Sequence, residues 1–173
     1  MKLLRFLDAN LERFLVAAIL FALVAILAAQ VAFRYLLGAP LVWSEELARY
    51  LLVWCTFIGV SLAVREGRNI SVDLLPTMLG DRWTRGFGVI ALVGSAIFFA
   101  LVVWYAIPLT RRIARIGQTS PGLGIQMWIV YAAVPVGLGL AFLRALQALW
   151  QVMRGGPLPG ADATAQHSEG AAS

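Results

Sequence analysis

The sequence predicts an all-α integral membrane protein with four transmembrane helices and an N-terminal amphipathic interfacial segment. Three observations predict it. Of 173 residues, 61% are hydrophobic and 13% are charged, against about 45–50% and about 25% in soluble domains. The apolar residues gather into four long runs, and each is about as long as the ~20 residues a membrane helix needs. The charged residues fall between those runs. No remaining stretch reaches the ~50 residues of a small soluble domain.

Residues 1–13 carry Leu3, Leu4, Leu7 and Leu11 at helical spacing, with Lys2, Arg5, Asp8, Glu12 and Arg13 among them. That pattern predicts a cytoplasmic amphipathic lead-in lying at the membrane surface. Phe14–Phe33 is the first span, broken only by Gln30. It exceeds the 7–15 residues of a typical signal-peptide core, and no clean small-x-small cleavage site follows. The expectation is a retained anchor.

Gly38, Ala39 and Pro40 form a short connection. Ser44 is the expected N-cap of the next helix, with Glu45 and Glu46 complementing its first turn. Span two covers about 47–64 and ends in Arg65-Glu66-Gly67-Arg68-Asn69, with Gly67 the natural helix stop. Residues 65–85 are too short for a domain and predict a turn and a short surface helix, with Asp73 placed to cap it through Leu79. Span three is 86–109, and Arg111, Arg112 and Arg115 beyond it suggest a helix that outlasts the lipid. Span four is 125–143, where Pro135, Gly137 and Gly139 predict a kink or a close helix contact. The four-helix domain thus covers 14–150. Residues 151–173 are small and polar, and predict a disordered cytoplasmic tail.

The net charge of +5 does not point to nucleic acid. The basic residues sit singly or in pairs at span ends, whereas nucleic-acid binding needs a contiguous basic face. They report topology instead. A cytoplasmic N-terminus puts Lys2, Arg5, Arg13, Arg65, Arg68, Arg82, Arg85, Arg144 and Arg154 inside. Arg34, Arg49, Arg111, Arg112 and Arg115 are then outside. The excess on the first side predicts that both ends are cytoplasmic. Trp43, Trp104, Tyr105, Trp128 and Tyr131 form the matching outer aromatic belt.

Catalytic constellations are missing from the sequence. One cysteine, Cys55, permits neither an internal disulfide nor a thiolate metal site. One histidine, His167, lies in the polar tail, so no histidine-ligated membrane haem is expected. No phosphate-binding glycine loop, nucleophile motif or metal motif occurs. The span interiors also lack the ionisable groups that mark a transport path. No cofactor is expected in this chain.

The densest polar cluster is Trp43-Ser44-Glu45-Glu46-Leu47-Ala48-Arg49-Tyr50. Glu45 and Arg49 have the favoured i, i+4 order for an ion pair, and Arg34 lies across a short connection from both glutamates. The plain reading is a capped helix end with interfacial charge pairs. The functional reading is a docking site for another membrane subunit. Arg111, Arg112 and Arg115 read either as a rim for lipid phosphate or as a docking rim for an acidic periplasmic partner.

Arg34-Tyr35, the Trp43–Tyr50 segment, Gly59 and Arg65-Glu66-Gly67-Arg68-Asn69-Ile70-Ser71-Val72-Asp73 together resemble a known family. So do Gly117-Gln118-Thr119-Ser120-Pro121 and the run from Ile125 through Trp128 to Gly137. That family is the small membrane subunit (Q, or DctQ-like) of TRAP transporters, the tripartite ATP-independent periplasmic transporters. The match covers roughly residues 14–150. Gln126 departs from it, because the family often has proline before the tryptophan.

The resemblance implies a three-part system. A periplasmic substrate-binding protein captures a carboxylate-type substrate. A large, elevator-type membrane subunit carries that substrate with sodium, and the sodium is expected there and not in this chain. The small subunit pairs with it as a scaffold in the bacterial inner membrane. It implies that Arg34, Trp43, Ser44, Glu45, Glu46, Arg49, Asp73 and Trp128 stabilise the fold or the subunit interface. Two alternatives stand beside it. One is a self-contained four-span exporter acting as a homo-oligomer. The other is the small subunit of another tripartite carboxylate uptake system.

Overall fold

A computed structural model describes residues 2–39, 41–66 and 81–154. The backbone there is helical apart from short connections. The helices are α1 (Lys2–Leu36), α2 (Val42–Arg65), α3 (Asp81–Ile116), α4 (Met127–Tyr131) and α5 (Ala133–Met153). Among the described residues, four spans are long and apolar enough to cross a membrane: Leu11–Leu36, Val42–Arg65, Gly86–Ile116 and Met127–Met153, the last shared by α4 and α5. Lipid offers no partners to backbone N–H and C=O groups, so an apolar chain there must satisfy them within helices.

α1 is continuous from the amphipathic lead-in through the first span. Its 35 residues reach about 52 Å at 1.5 Å per residue, well beyond a hydrocarbon core of about 30 Å. Gly38 adopts φ 63° after it, and the amides of Leu37 and Ala39 both return to the Phe33 carbonyl. Only glycine enters that conformation without strain. α3 does continue beyond residue 109, running through Arg111, Arg112 and Arg115 to Ile116.

Three boundaries correct the sequence reading. The cap of α2 is Leu41 in an extended conformation, not Ser44. Ser44 lies inside the first turn, fully buried, and its hydroxyl donates to the Leu41 carbonyl at 2.6 Å. A hydroxyl spent on a carbonyl cannot accept from the helix amides, so it does not cap. α2 accordingly starts at Val42, three residues before the Glu45 that a Ser44 cap would make its first residue. The fourth span begins at Met127, with Gln126 as its extended cap residue. The span also breaks at Ala132. Pro135 has no N–H to give the Tyr131 carbonyl. The Thr110 hydroxyl of α3 lies 3.5 Å from that carbonyl, although its proton has a shorter acceptor in the Ala106 carbonyl at 2.9 Å. Ala132 stays right-handed (φ −63°, ψ −21°), so α5 carries on from α4. The predicted stop at Gly67, Asp73 with the short helix near it, His167, and the tail beyond 154 lie outside the described residues.

The helices form an array in the order α1, α2, α5, α3, with α4 against α2 and α3. The core lies between α2, α3 and α5, around Val64, Ala96, Phe99, Leu138, Ala141 and Ala145. A second patch joins Leu92 to Ala148 and Val152. The inner face of α5 is small: Gly137, Ala141, Ala145 and Ala148 recur along it and are buried. Small residues let backbones approach closely, and dispersion then holds helices that no hydrophobic effect drives together in lipid.

The closest approach is at Gly137. A Cβ there would lie 2.6 Å from the carbonyl carbon, oxygen and Cβ of Phe57. Two of those atoms are backbone, so they cannot swing aside. Gly139 and Gly59, by contrast, face open space.

The end of the array where α1 starts is tied by charge. Arg13 pairs with Glu66 of α2 at 2.8 Å. Arg144 of α5 reaches Glu12 through Nε and Nη2, both at 2.9 Å, and the two side chains are only 11% and 4% exposed. The second Glu12 oxygen, Oε2, is buried without a hydrogen-bond partner.

Two outcomes follow. Gly137→Ala forces α2 and α5 apart and destabilises the fold by about 1–3 kcal/mol, the cost of overpacking a tight core. Gly139→Ala leaves thermal stability in detergent unchanged, and equal melting of the two variants would contradict the assigned contact. Arg144→Met leaves a buried carboxylate without its cation, a loss of about 3–5 kcal/mol. Replacing both partners, Glu12→Met with Arg144→Met, recovers most of that stability in the same melting assay.

Candidate subunit-interface site

The Trp43–Tyr50 segment forms the first two turns of α2, at the end of the array opposite the Glu12–Arg144 pair. Helical periodicity splits it into two faces. Ser44, Ala48 and Glu46 turn inward or sideways, while Trp43, Glu45 and Arg49 are exposed.

Glu46 makes the site's principal contacts. Its Oε2 accepts from the backbone amides of Gly122 at 2.7 Å and Leu123 at 3.0 Å. Its Oε1 accepts from the Tyr50 hydroxyl one turn along the helix. Tyr50 also approaches the Met127 sulfur at 3.4 Å. Two successive amides converging on one carboxylate oxygen make a small anion nest, and charge-assisted bonds of this kind are stronger than neutral ones.

The loop is shaped to present those amides. Gly117 (φ 69°) ends α3 and Gly124 (φ 67°) closes the turn. Thr119 pairs with Gln126 in an antiparallel bridge. The Ser120 amide donates to Ile125, the Met127 amide to Gln118, and the Gly124 amide to Ser120. The Ser120 hydroxyl accepts from Leu123 as well. Glu46 therefore staples the α3–α4 connection to the start of α2.

The other expected partners arrange differently. Glu45 accepts from Gln30 of α1 at 3.0 Å. The expected Glu45–Arg49 ion pair and a pairing of Arg34 with either glutamate do not form among the described residues. α1 and α2 run antiparallel, so Gln30 stands level with Glu45. A step of four residues carries Arg34 past that level, toward the start of α2. Trp128 donates its indole N–H to the Gln126 side chain, beside the bridge. Arg111, Arg112 and Arg115 are exposed at the end of α3 on the same end of the array. Asp73 lies outside the described residues.

Sequence reasoning did not assign partners to Gly122, Leu123 or Gln30, nor pair Glu12 with Arg144. The Ser120-Pro121-Gly122 turn signal was visible, but nothing local ties it to a carboxylate 76 positions earlier. Among the described residues no cluster of histidine, cysteine or acidic side chains has metal-site geometry.

The staple makes a coupled prediction. Glu46→Ala lowers the melting temperature by several degrees and speeds proteolysis within 117–126. A Cβ at Gly122 would collide with Glu46 Oε2, so Gly122→Ala expels the carboxylate and gives the same phenotype. The double variant is then scarcely worse than either single one, because both remove one interaction. Additive losses in that cycle would show that the staple is not the shared cause.

Comparison with known proteins agrees with this architecture. Residues 23–155 match the family model described as tripartite ATP-independent periplasmic transporters, DctQ component. The chain is 33% identical over 132 residues to the C4-dicarboxylate TRAP transporter small permease protein DctQ of Rhodobacter capsulatus, covering 76% of this chain and 58% of that one. It is 34% identical over 154 residues to the isethionate TRAP transporter permease protein DctMQ of Oleidesulfovibrio alaskensis, covering 85% of this chain and 24% of the relative. It is 34% identical over 142 residues to the sialic acid TRAP transporter permease protein SiaT of Haemophilus influenzae, covering 80% and 22%. The chain thus spans a little over half of one relative and about a quarter of the other two. With four apolar spans and a match over most of its length, this chain is a multi-pass membrane protein that belongs to the DctQ component family of TRAP transporters, a family of transporter subunits and not of enzymes.

Proposed function

We propose that this chain is the fixed small subunit of a sodium-coupled TRAP transporter for a carboxylate-type substrate. It pairs with a large membrane subunit that holds the substrate and sodium sites. Both of its ends face the cytoplasm, and the Glu46 staple faces the periplasm. The observation that carries this reading is where the charge sits. Among the described residues, the charged side chains other than Arg144 lie toward the ends of the four spans, and Glu12, Arg13, Glu46, Glu66 and Arg144 are engaged within the fold. No ionisable group is left in a span centre to bind a substrate or ion.

Arg111, Arg112 and Arg115 supply the proposed docking rim for the substrate-binding protein. They project from a helix end beyond the lipid, where positive charge steers an acidic partner. Trp43, Glu45, Arg34 and Trp128 at that end belong to the proposed contact region, and so does Asp73, which lies outside the described residues. The relatives are named for C4-dicarboxylate, isethionate and sialic acid, so the substrate follows from the other components of each system.

Reconstitution tests this. Proteoliposomes holding this chain and the large subunit take up substrate when given the binding protein and a sodium gradient, and this chain alone takes up none. Transport by this chain alone would favour the self-contained exporter. Glu45→Ala with Glu46→Ala lowers uptake in proportion to lost co-purification with the large subunit. Arg111→Gln, Arg112→Gln and Arg115→Gln together spare co-purification. They raise the concentration of binding protein needed for half-maximal uptake by roughly tenfold at low salt. An unchanged concentration would remove the rim from the docking surface.

A further inference from the structure

Among the described residues, α2 presents one column that the other helices leave largely open: Glu45, Arg49, Leu52 and Thr56 are exposed, and Gly59 and Ala63 continue it half-buried, at alternating steps of four and three. α1 packs on one side of α2 and α5 on the other. Glu45, Arg49, Leu52 and Thr56 are exposed, and a Cβ at Gly59 would meet nothing within 4 Å.

This face differs from the surfaces that meet lipid elsewhere. The outer side of α1 carries Phe14 and Phe21, 71% and 77% exposed. The outer side of α3 carries Leu101 and Trp104. Those are bulky apolar side chains suited to acyl chains. The open face of α2 has one such side chain, Leu52, beside an acid, a cation, a hydroxyl and two of the smallest residues. Thr56 satisfies its hydroxyl on the Leu52 carbonyl at 2.8 Å, which keeps it flat against the helix. Such a surface fills poorly with lipid but admits a helix at close range.

Arg49 names the partner's chemistry. It stands about 10 Å along α2 from Val42, and it makes no hydrogen bond or ion pair with a described residue. A cation at that depth is costly unless an anion meets it. Glu45, one turn back on the same face, accepts from Gln30 and forms no ion pair with Arg49. From this we infer that the open face of α2 is the docking surface for a membrane helix of the large subunit. That helix lies close over Thr56, Gly59 and Ala63 and brings a carboxylate to Arg49. The inference rests on the pairing proposed above. It also agrees with relatives such as DctMQ, where the matching segment is about a quarter of a longer permease chain.

The test co-expresses the tagged chain with the large subunit of its own system. Wild-type chain retains the large subunit through purification; if it does not, the proposed pairing fails and not the face alone. Given that retention, Arg49→Glu and Gly59→Leu each reduce recovered large subunit by roughly tenfold or more, while the small chain keeps its wild-type melting curve. Phe21→Leu on the outer side of α1 leaves recovery unchanged. A benzoylphenylalanine photo-crosslinker in place of Thr56 yields an adduct identified by mass spectrometry as the large subunit, and the same group in place of Phe21 does not. Full recovery with both Arg49→Glu and Gly59→Leu, or lipid adducts only from position 56, would overturn the assignment.

Discussion

α5 lies against α2 because Gly137 has no side chain. The Phe57 backbone occupies the space a Cβ would need, and this contact sets the spacing of the whole array. Ala141, Ala145 and Ala148 keep the same narrow separation along α5, so α3 also packs closely from the other side. In water such a seam would gain little, since small residues bury little apolar area. In lipid the helices are already among apolar neighbours. Close packing and satisfied polar groups are then what favour one arrangement over many. The helix order α1, α2, α5, α3 follows, with α2 as the element that touches both α1 and α5.

The polar contacts act at the ends of that array, and they correct for what packing alone leaves loose. α1 has no backbone contact with α5, yet the Glu12–Arg144 pair joins them. Arg13–Glu66 adds a second tie at the same level. At the far end Glu46 holds the loop amides of Gly122 and Leu123, and Gln30 meets Glu45. A rod pinned at both ends cannot tilt or slide easily against its neighbour. Buried ion pairs contribute little net stability, because desolvation offsets most of the attraction. Their effect here is on register: each fixes the height of one helix against another.

What was legible in the sequence tracks how local the physics is. The four spans were plain, since the membrane imposes length and hydropathy residue by residue. α3 running past the lipid was legible from Ile113 and Ile116 spaced among its arginines. The role of Ser44 was not, because a cap depends on where the chain turns into the helix, and Leu41 turns it one residue before Val42. Gly137 and Gly139 looked alike as sites of close approach, yet of the two only Gly137 meets a neighbour. Which face of a helix finds a partner is a tertiary fact. The pairing of Arg34 with Glu45 was plausible on sequence distance and failed on helix height. Glu46 was recognised as part of the polar cluster, but its ligands come from a loop that only the fold brings near.

The distribution of tight and open surfaces bears on the proposed role beside an elevator-type partner. A moving element needs something that does not move with it. The fold supplies that through contacts that resist sliding: backbone against side chain at Gly137, ion pairs at one end, a stapled loop at the other. None of these involves a group poised between two states. A rigid body held in this way can still be carried along by its neighbour unless it is broad and well anchored. The exposed aromatics Trp43, Trp104 and Tyr105 at one end and Trp150 at the other provide that anchoring, since such rings settle at the lipid–water boundary. The cation–π contact of Arg154 over Trp150, at 4.5 Å, holds one of these anchors in place. Anchored at both boundaries and locked within, the array suits the proposed role of a fixed frame, because vertical displacement is the motion an elevator makes against its frame.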